Sequence, residues 1–180
     1  MTTITYFVHG TTTDNEQGLA TGWLPGQLSA IGREQAKKLG EQTAHLKFDV
    51  VFCSDLQRAI DSAELGFGGK YQIIHDARLR ECNYGDMNSQ SAVAFKDRME
   101  DYVTMPFPNG ESYEDVEKRL RSFVHNVAQQ YSGQHVAIVA HQGPQLALDV
   151  ILKGKTWQQA IAEDWRKAHA WQPGWQYIID

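Results

Sequence analysis

Residues with the right chemistry to handle a phosphoryl group follow three separate apolar stretches of the sequence. His9 follows TITYFV, Arg58 lies shortly after VVFC, and His141 follows HVAIVA. Arginine offers a planar fork of donors to phosphate oxygens. A neutral imidazole nitrogen is a good nucleophile near neutral pH, and transfer of a phosphoryl group to nitrogen divides hydrolysis into two steps. These residue types together predict a phosphoryl-transfer site.

The leaving group of such a reaction needs a proton donor, and Glu81 is the best-placed carboxyl group. It lies in the segment LREC, shortly after a third predicted strand. The two cysteines, Cys53 and Cys82, form no CxxC pair and no cluster of metal ligands. We therefore predict packing thiols, a reduced compartment and no metal.

The order of the elements predicts an α/β fold in which strands alternate with helices. A mostly parallel sheet with helices on both faces, a three-layer α/β/α domain, follows from that order. Ligands of such sheets bind beyond the carboxyl ends of the strands. His9, Arg58 and His141 therefore meet if their strands are neighbours. The predicted strands are Thr3–Val8, Asp49–Cys53, Tyr71–Ile74, His135–Ala140 and Trp175–Ile179.

Capping signals place several of the helices. Ser29 is a plausible N-cap, and Ser112 with Asp115 forms a capping box that opens a helix to about Tyr131. Further helices are predicted over 55–65, after Pro144 and after Thr156. Residues 84–112 are predicted to form a small helical lid or insertion. Four of the five tryptophans lie in the tail, where we expect them to pack rather than to bind substrate.

Length and charge limit the possible functions. The 180 residues fit a single domain, 1–180, and 17 basic against 22 acidic residues give a net charge of −5. This balance argues against binding to nucleic acid or to an anionic membrane. No stretch approaches the ~20 apolar residues that span a bilayer, and the N-terminus has no signal peptide. We expect a cytoplasmic protein, and an oligomer is possible.

Six segments occur in the following order along the chain: HGTTTDN (9–15), TGWLPGQLSAIGREQAKKLG (21–40), FCSDLQRA (52–59), LRECNYGDMN (79–88), PNGES (108–112) and VAHQG (139–143). Together they resemble the histidine phosphatase superfamily with its phosphoglycerate mutase-like fold. The resemblance implies that His9 is the phosphorylated nucleophile and that Glu81 acts first as acid and then as base. It further implies that the phosphate is bound by His141, Arg58, Asn15, Gly10 and the backbone N–H of Gln142.

Two positions depart from the family motif. The family carries arginine just before the nucleophilic histidine, where this chain has Val8. Loss of one transition-state donor can lower a rate about 10²–10³-fold. Arg80 or Arg78 could supply the missing group, although no sequence rule requires it. Gln142 is bulkier than the small residue of many members, so it either narrows the pocket or adds an amide donor.

The sequence therefore predicts a metal- and cofactor-independent phosphomonoesterase that acts on a small phosphorylated metabolite. The short chain favours a phosphatase over a mutase, because the mutases of the superfamily carry extra segments. Two alternatives stay open. One is a phosphate- or phosphoester-binding protein with weak or no catalysis, because of Val8. The other is a phosphatase for phosphohistidine on proteins.

Overall fold

A five-stranded sheet runs through the centre of the protein, in the order β3-β2-β4-β1-β5. The computed structural model describes residues 1–164, 166 and 174–179. β1, β2, β3 and β4 are parallel, and β5 pairs antiparallel with β1. The predicted, mostly parallel sheet is therefore confirmed. The strands are β1 (Thr2–Val8), β2 (Val50–Cys53), β3 (Ile73–His75), β4 (His135–Ala140) and β5 (Trp175–Ile179).

Helices cover both faces of this sheet and so complete the three layers. On one face, α2 and α3 pack over a cluster that includes Phe7, Val51 and Val139. On the other face, α5 and α6 cover Tyr6 and Ile138. The helices are α1 (Thr13–Glu16), α2 (Ala30–Gln42), α3 (Gln57–Phe67), α4 (Val93–Lys96), α5 (Tyr113–Gln130), α6 (Gln142–Lys153) and α7 (Trp157–Ala162).

Several element boundaries differ from the sequence prediction by one to three residues. α3 begins at Gln57 rather than at position 55, and β3 lies slightly later than predicted. α6 begins at Gln142, directly after β4, and not after Pro144. Pro144 fits inside the first turn because an N–H there needs no partner within the helix. His141 consequently becomes the N-cap residue of α6, and the helix N-terminus lies at the sheet edge where ligands bind.

Two glycines allow α2 to approach the loop that follows β1. A Cβ atom at Gly10 would collide with the backbone carbonyl of Gly32, and one at Gly32 would collide with the carbonyl of Thr11. Both collisions are with backbone, which cannot rotate away. The close contact fixes the chain immediately after His9.

The 84–112 segment consists of short helical turns around an aromatic cluster. Besides α4, it holds 3₁₀ turns at Gly85–Met87 and Met99–Tyr102. Tyr84, Phe95 and Phe107 pack with ring centroids 4.7 to 5.3 Å apart. The backbone of Ala20 donates to Gln90 (2.9 Å), and that of Ala92 donates to Gly18 (2.8 Å). The segment is thus attached to the loop that follows α1.

The tail contributes packing through two of its tryptophans. Trp157 is buried, and its Nε1 donates to Glu117 at 2.7 Å. Trp175 is also buried, with its ring edge-on to Tyr6 at 6.2 Å. Trp165 and Trp171 lie outside the described residues. Across the part of the chain that the structure describes, no helix has the length and apolar character needed to cross a membrane.

Candidate active site

β2, β4 and β1 are adjacent, so the residues after their carboxyl ends meet at one edge of the sheet. The imidazole rings of His9 and His141 have centroids 5.0 Å apart, and the Nε of Arg58 lies 3.3 Å from His9 Nε2. His9 and Arg58 border a cavity of about 400 Å³, and His141 lies buried behind them. The other residues that line the cavity include Val8, Asn15, Glu81, Tyr84, Phe95, Lys96, Gln142 and Arg166.

His9 presents an unprotonated nitrogen to this cavity. Its Nδ1 lies 2.7 Å from the Gly10 carbonyl oxygen, which can only accept, so Nδ1 carries the proton. Nε2 is then left with its lone pair, to which Arg58 Nε–H donates. Burial, followed by the charge of Arg58, lowers the pKa of His9 to about 3. The imidazole is therefore neutral near pH 7 and suited to nucleophilic attack.

The imidazole ring of His141 is fully buried. Among the residues that the structure describes, nothing bonds to its Nδ1 or Nε2. Leaving a buried polar group without a partner costs about 1–3 kcal/mol, which proteins tolerate mainly at functional sites. Burial lowers the pKa of His141 well below its usual value, with further lowering by Arg58 and His9. The neutral ring can donate one N–H to an acceptor that lies beside His9.

Tyr6 fixes the backbone of His141. Its hydroxyl donates to the His141 carbonyl at 2.7 Å and accepts from the His141 N–H at 2.9 Å. Both groups are buried, and burial raises the pKa of the Tyr6 hydroxyl far above its ordinary value. Tyr6 was not identified from the sequence. The available signal was its position two residues before Val8, on the same face of β1.

Arg58 places a positive charge beside His9. It is 1% exposed, and its guanidinium donates to the carbonyls of Gly22 (2.7 Å) and Leu24 (2.8 Å) as well as to His9. Burial lowers its pKa, although the charge of Glu81 opposes this effect. These contacts with carbonyls attach the loop that follows α1 to the nucleophile.

Asp55 and Asp61, the acidic residues nearest to Arg58 in the sequence, pair with other residues. Asp55 binds Arg80, at 2.7 and 2.6 Å, and Asp61 accepts from Gln57. The hydrogen bonds from Arg80 lower the pKa of Asp55. Neither of these two carboxylates therefore neutralises the charge of Arg58 beside His9.

Glu81 occupies the N-terminus of α6. Its Oε1 accepts from the backbone N–H of Cys82 (2.8 Å) and of Gly143 (2.9 Å), and its Oε2 accepts from that of Gln142 (3.1 Å). The Gln142 N–H, predicted to donate to phosphate, thus donates here to a carboxylate. The reason is that α6 begins at Gln142, so its first N–H groups point at any nearby anion.

Two residues that the sequence did not reveal hold the backbone of Glu81. Trp23 Nε1 donates to its carbonyl at 2.7 Å, and Arg119 Nη2 donates at 2.9 Å. Arg119 also forms an ion pair with Glu111 at 3.0 Å. No local sequence signal identifies these contacts, because they join distant parts of the chain.

The remaining predicted binding residues differ in their contacts. Asn15 lines the cavity, and its Oδ1 accepts from the Thr12 N–H (3.0 Å) in a capping box. The NH₂ of its side-chain amide can then donate to a ligand. The Gly10 N–H donates to Ser62 Oγ at 3.0 Å, so the structure gives Gly10 a role in holding the His9 loop. Phosphate binding by Gly10 stays a prediction. The side-chain amide of Gln142 donates to Asp164.

Neither Arg78 nor Arg80 lines the cavity beside Val8, the position at which the resemblance implies an arginine in the family motif. Arg78 forms an ion pair with Asp76 at 2.6 Å. Arg80 is held by Asp55 and lies over the Trp23 ring at 4.8 Å. Within residues 1–164, 166 and 174–179, no group of three or more histidine, cysteine or acidic side chains is arranged to hold a metal ion.

The fold and the paired histidines define a class of phosphoryl-handling α/β proteins, and comparison with known families agrees. Residues 6–161 match the model of the histidine phosphatase superfamily (branch 1). The chain therefore belongs to this superfamily, and its architecture is phosphoglycerate mutase-like.

Named relatives include both phosphatases and mutases. The chain is 30% identical over 146 residues to the adenosylcobalamin/alpha-ribazole phosphatase of Escherichia coli, covering 75% of this chain and 71% of that protein. It is 30% identical over 165 residues to a 2,3-bisphosphoglycerate-dependent phosphoglycerate mutase of Methylorubrum extorquens, covering 82% and 77%. A mycobacterial glucosyl-3-phosphoglycerate phosphatase, solved with VO3, superposes with a TM-score of 0.80 at 28% identity, covering 89% and 86%.

Proposed function

We propose that the protein is a phosphomonoesterase that hydrolyses a small phosphate monoester through a phosphohistidine at His9. The observation that carries this proposal is the pairing of His9 Nε2 with the unpartnered ring of His141, beside the buried charge of Arg58. A phosphoryl group beside the two rings would accept from His141 and Arg58. It would also lie next to the nucleophilic nitrogen of His9.

Binding would place the phosphoryl group where the positive charge is concentrated. The Arg58 guanidinium and the ring N–H of His141 would donate to its oxygens, and the side-chain amide NH₂ of Asn15 would add a neutral donor. Hydrogen bonds between charged partners are roughly twice as strong as neutral ones. The donors are fixed before the substrate arrives, so little reorganisation is needed during the reaction.

In the first chemical step, the Arg58 Nε–H releases the lone pair of His9 Nε2, which attacks phosphorus, and the bond from phosphorus to the ester oxygen breaks. Protonated Glu81 gives its proton to the departing alkoxide, which leaves as an alcohol. For this transfer the carboxyl group must release at least one of the α6 N–H groups that it now accepts from. The phosphoryl oxygens can accept those N–H groups in its place.

In the second step, water hydrolyses the phosphohistidine. Ionised Glu81 takes a proton from the attacking water, and the bond between phosphorus and Nε2 breaks. His9 returns to the neutral tautomer that donates to the Gly10 carbonyl. Inorganic phosphate then leaves. The same carboxyl group thus serves first as acid and then as base.

The cavity and the relatives support a small phosphorylated metabolite as substrate. A volume of about 400 Å³ lies in the range of small-molecule sites. Tyr84 and Phe95 supply an apolar wall, while Lys96 adds a positive charge away from the strand ends.

Hydrolysis of p-nitrophenyl phosphate and of a panel of metabolite monoesters tests the proposal. His9→Ala should abolish turnover, whereas His45→Ala, at an exposed histidine, should leave it unchanged. Intact mass after an alkaline quench should show a phosphorylated wild-type chain and an unphosphorylated His9→Ala chain. Turnover that survives in His9→Ala contradicts the mechanism.

One observation favours a second candidate, a phosphoester-binding protein with little catalysis. Val8 lines the cavity at the position of the missing arginine and has no donor. Saturable binding of phosphate by the wild-type protein, without turnover of any monoester in the panel, would support this candidate and reject the first.

A further inference from the structure

A second arginine reaches the same cavity from a distant part of the chain. Arg166 lines it together with Val8, His9 and Arg58. It follows α7 and is partly buried. None of the motif segments 9–15, 21–40, 52–59, 79–88, 108–112 and 139–143 includes it.

Several contacts hold the Arg166 guanidinium. Nη1 forms an ion pair with Asp164 Oδ1 at 2.8 Å and lies 3.4 Å from Gln145 Oε1. The other oxygen of Asp164 accepts from the side chain of Gln142. Asp164, which is buried, thus links Gln142 to Arg166 through its two carboxylate oxygens. These contacts reduce the conformational freedom of a long side chain.

The position of Arg166 matches the face of the sheet to which residue 8 belongs. Its guanidinium carbon lies 5.6 Å from the centre of the Trp175 ring, and Trp175 is paired with Tyr6 across β1 and β5. Tyr6 and Val8 share one face of β1 because side chains alternate along a strand. Arg166 therefore lies near the carboxyl end of β1, on the side where an arginine at position 8 would project.

The positive charge of Arg166 interacts electrostatically with the His9 ring. It contributes to the lowering of the His9 pKa, after burial and the charge of Arg58. It thus lies close enough to interact electrostatically with a phosphoryl group on Nε2. Arg58 alone has few donors to offer, because its two terminal nitrogens already donate to the Gly22 and Leu24 carbonyls.

We propose that Arg166 supplies the second guanidinium for the phosphoryl group, replacing from the C-terminal part of the chain the arginine that is absent at Val8. The inference rests on the proposed function for its place in catalysis. Its binding component can be measured without turnover. The chain would then keep two arginines at the phosphate, with one of them on a different element.

Calorimetric titration with inorganic phosphate tests this directly. Arg166→Met should weaken phosphate binding about 10- to 150-fold, the effect of losing one charge-assisted hydrogen bond. Arg98→Met is the matched control, because Arg98 is exposed and pairs only locally, with Asp101. Arg166→Lys keeps the charge without the planar fork and should weaken phosphate binding several-fold. This variant replaces Arg166→Met in the test if circular dichroism shows that Arg166→Met does not fold.

A second variant tests the replacement itself. Val8→Arg in the Arg166→Met background should recover most of the lost phosphate affinity and, with it, kcat/KM for p-nitrophenyl phosphate. If Val8→Arg does not restore phosphate affinity in this background, Arg166 does not replace an arginine at position 8. Phosphate binding within two-fold of wild type in both Arg166 variants overturns a role in binding. Wild-type binding without turnover would refute the proposed function alone, whereas no phosphate binding by the wild-type protein would refute both.

Discussion

Tyr6→Phe tests whether the fixed position of His141 depends on a single hydroxyl group. The substitution removes one oxygen and keeps the ring, which packs edge-on against Trp175. It therefore deletes both hydrogen bonds to His141 without creating a large cavity.

The expected loss of stability follows from what each His141 group retains. The carbonyl still accepts from the Gln145 N–H at 3.3 Å, because it is also the first acceptor of α6. The His141 N–H donates to the Tyr6 hydroxyl and, without it, becomes a buried donor with no acceptor. One such orphan costs about 1–3 kcal/mol. For a chain of this size, each kcal/mol lowers Tm by about 2–4 °C.

Urea unfolding followed by tryptophan fluorescence measures this loss, and kcat on p-nitrophenyl phosphate measures the functional effect. We expect kcat to fall about 10-fold with little change in KM, because His141 acts on charge that develops in the transition state. Tyr71→Phe, which deletes a hydroxyl bond to the Leu46 carbonyl on the other face of the sheet, should leave kcat unchanged. Wild-type stability and kcat in Tyr6→Phe would refute the reasoning.

Three further changes probe the rest of the site. Glu81→Gln should lower kcat about 10²–10⁴-fold in steady-state assays, since the acid–base group is lost, while the exposed Glu114→Gln should not; equal activities would remove Glu81 from the mechanism. Gly10→Ala should lower the free energy of unfolding in urea by about 1–3 kcal/mol, because its Cβ meets the Gly32 backbone; an unchanged midpoint would contradict this contact. Phosphorylation of His9 in rapid-quench experiments should persist from pH 7 to pH 5, because its pKa is about 3. An ordinary histidine of pKa 6.5 would be only about 3% neutral at pH 5, and a matching loss of burst amplitude would show that the pKa is not lowered.

Acid should also weaken the fold through the same histidines. The unfolded chain binds a proton at each histidine below pH 6.5, whereas folded His9 and His141 stay neutral to lower pH. Their contribution to stability is therefore lost progressively as the pH falls below about 6.5. Urea midpoints across this range measure the slope, which His141→Gln should reduce.

Much of the site was predictable because strand ends are readable as boundaries of apolar runs. HVAIVA followed by His141, and TITYFV followed by His9, identify two ends of neighbouring parallel strands. The capping box of Ser112 and Asp115 likewise depends on residues three apart, and the structure contains it. Local spacing carries such information directly.

The rest depends on contacts that spacing cannot show. The sequence predicts that α6 starts after Pro144, but proline is tolerated within the first turn of a helix as well as before it, and α6 starts at Gln142. The hydrogen bond from the Gln142 N–H to Glu81 depends on that earlier start and is therefore not predicted. Arg166 lies more than 100 residues from Arg58 in sequence. The pairing of β5 with β1 brings Trp175, whose ring lies under the Arg166 guanidinium, close to the carboxyl end of β1.

The place of β1 in the sheet has a consequence for biosynthesis. β1 is synthesised first, but both of its neighbours, β4 and β5, belong to the last third of the chain. At roughly 5–20 residues per second, the apolar segment before His9 waits about 6–25 s for its first partner to be translated. A nascent chain that ends before His135 carries the nucleophile on an unpaired strand, which exposes an edge to aggregation. Such a chain should depend on chaperones until translation has passed β4.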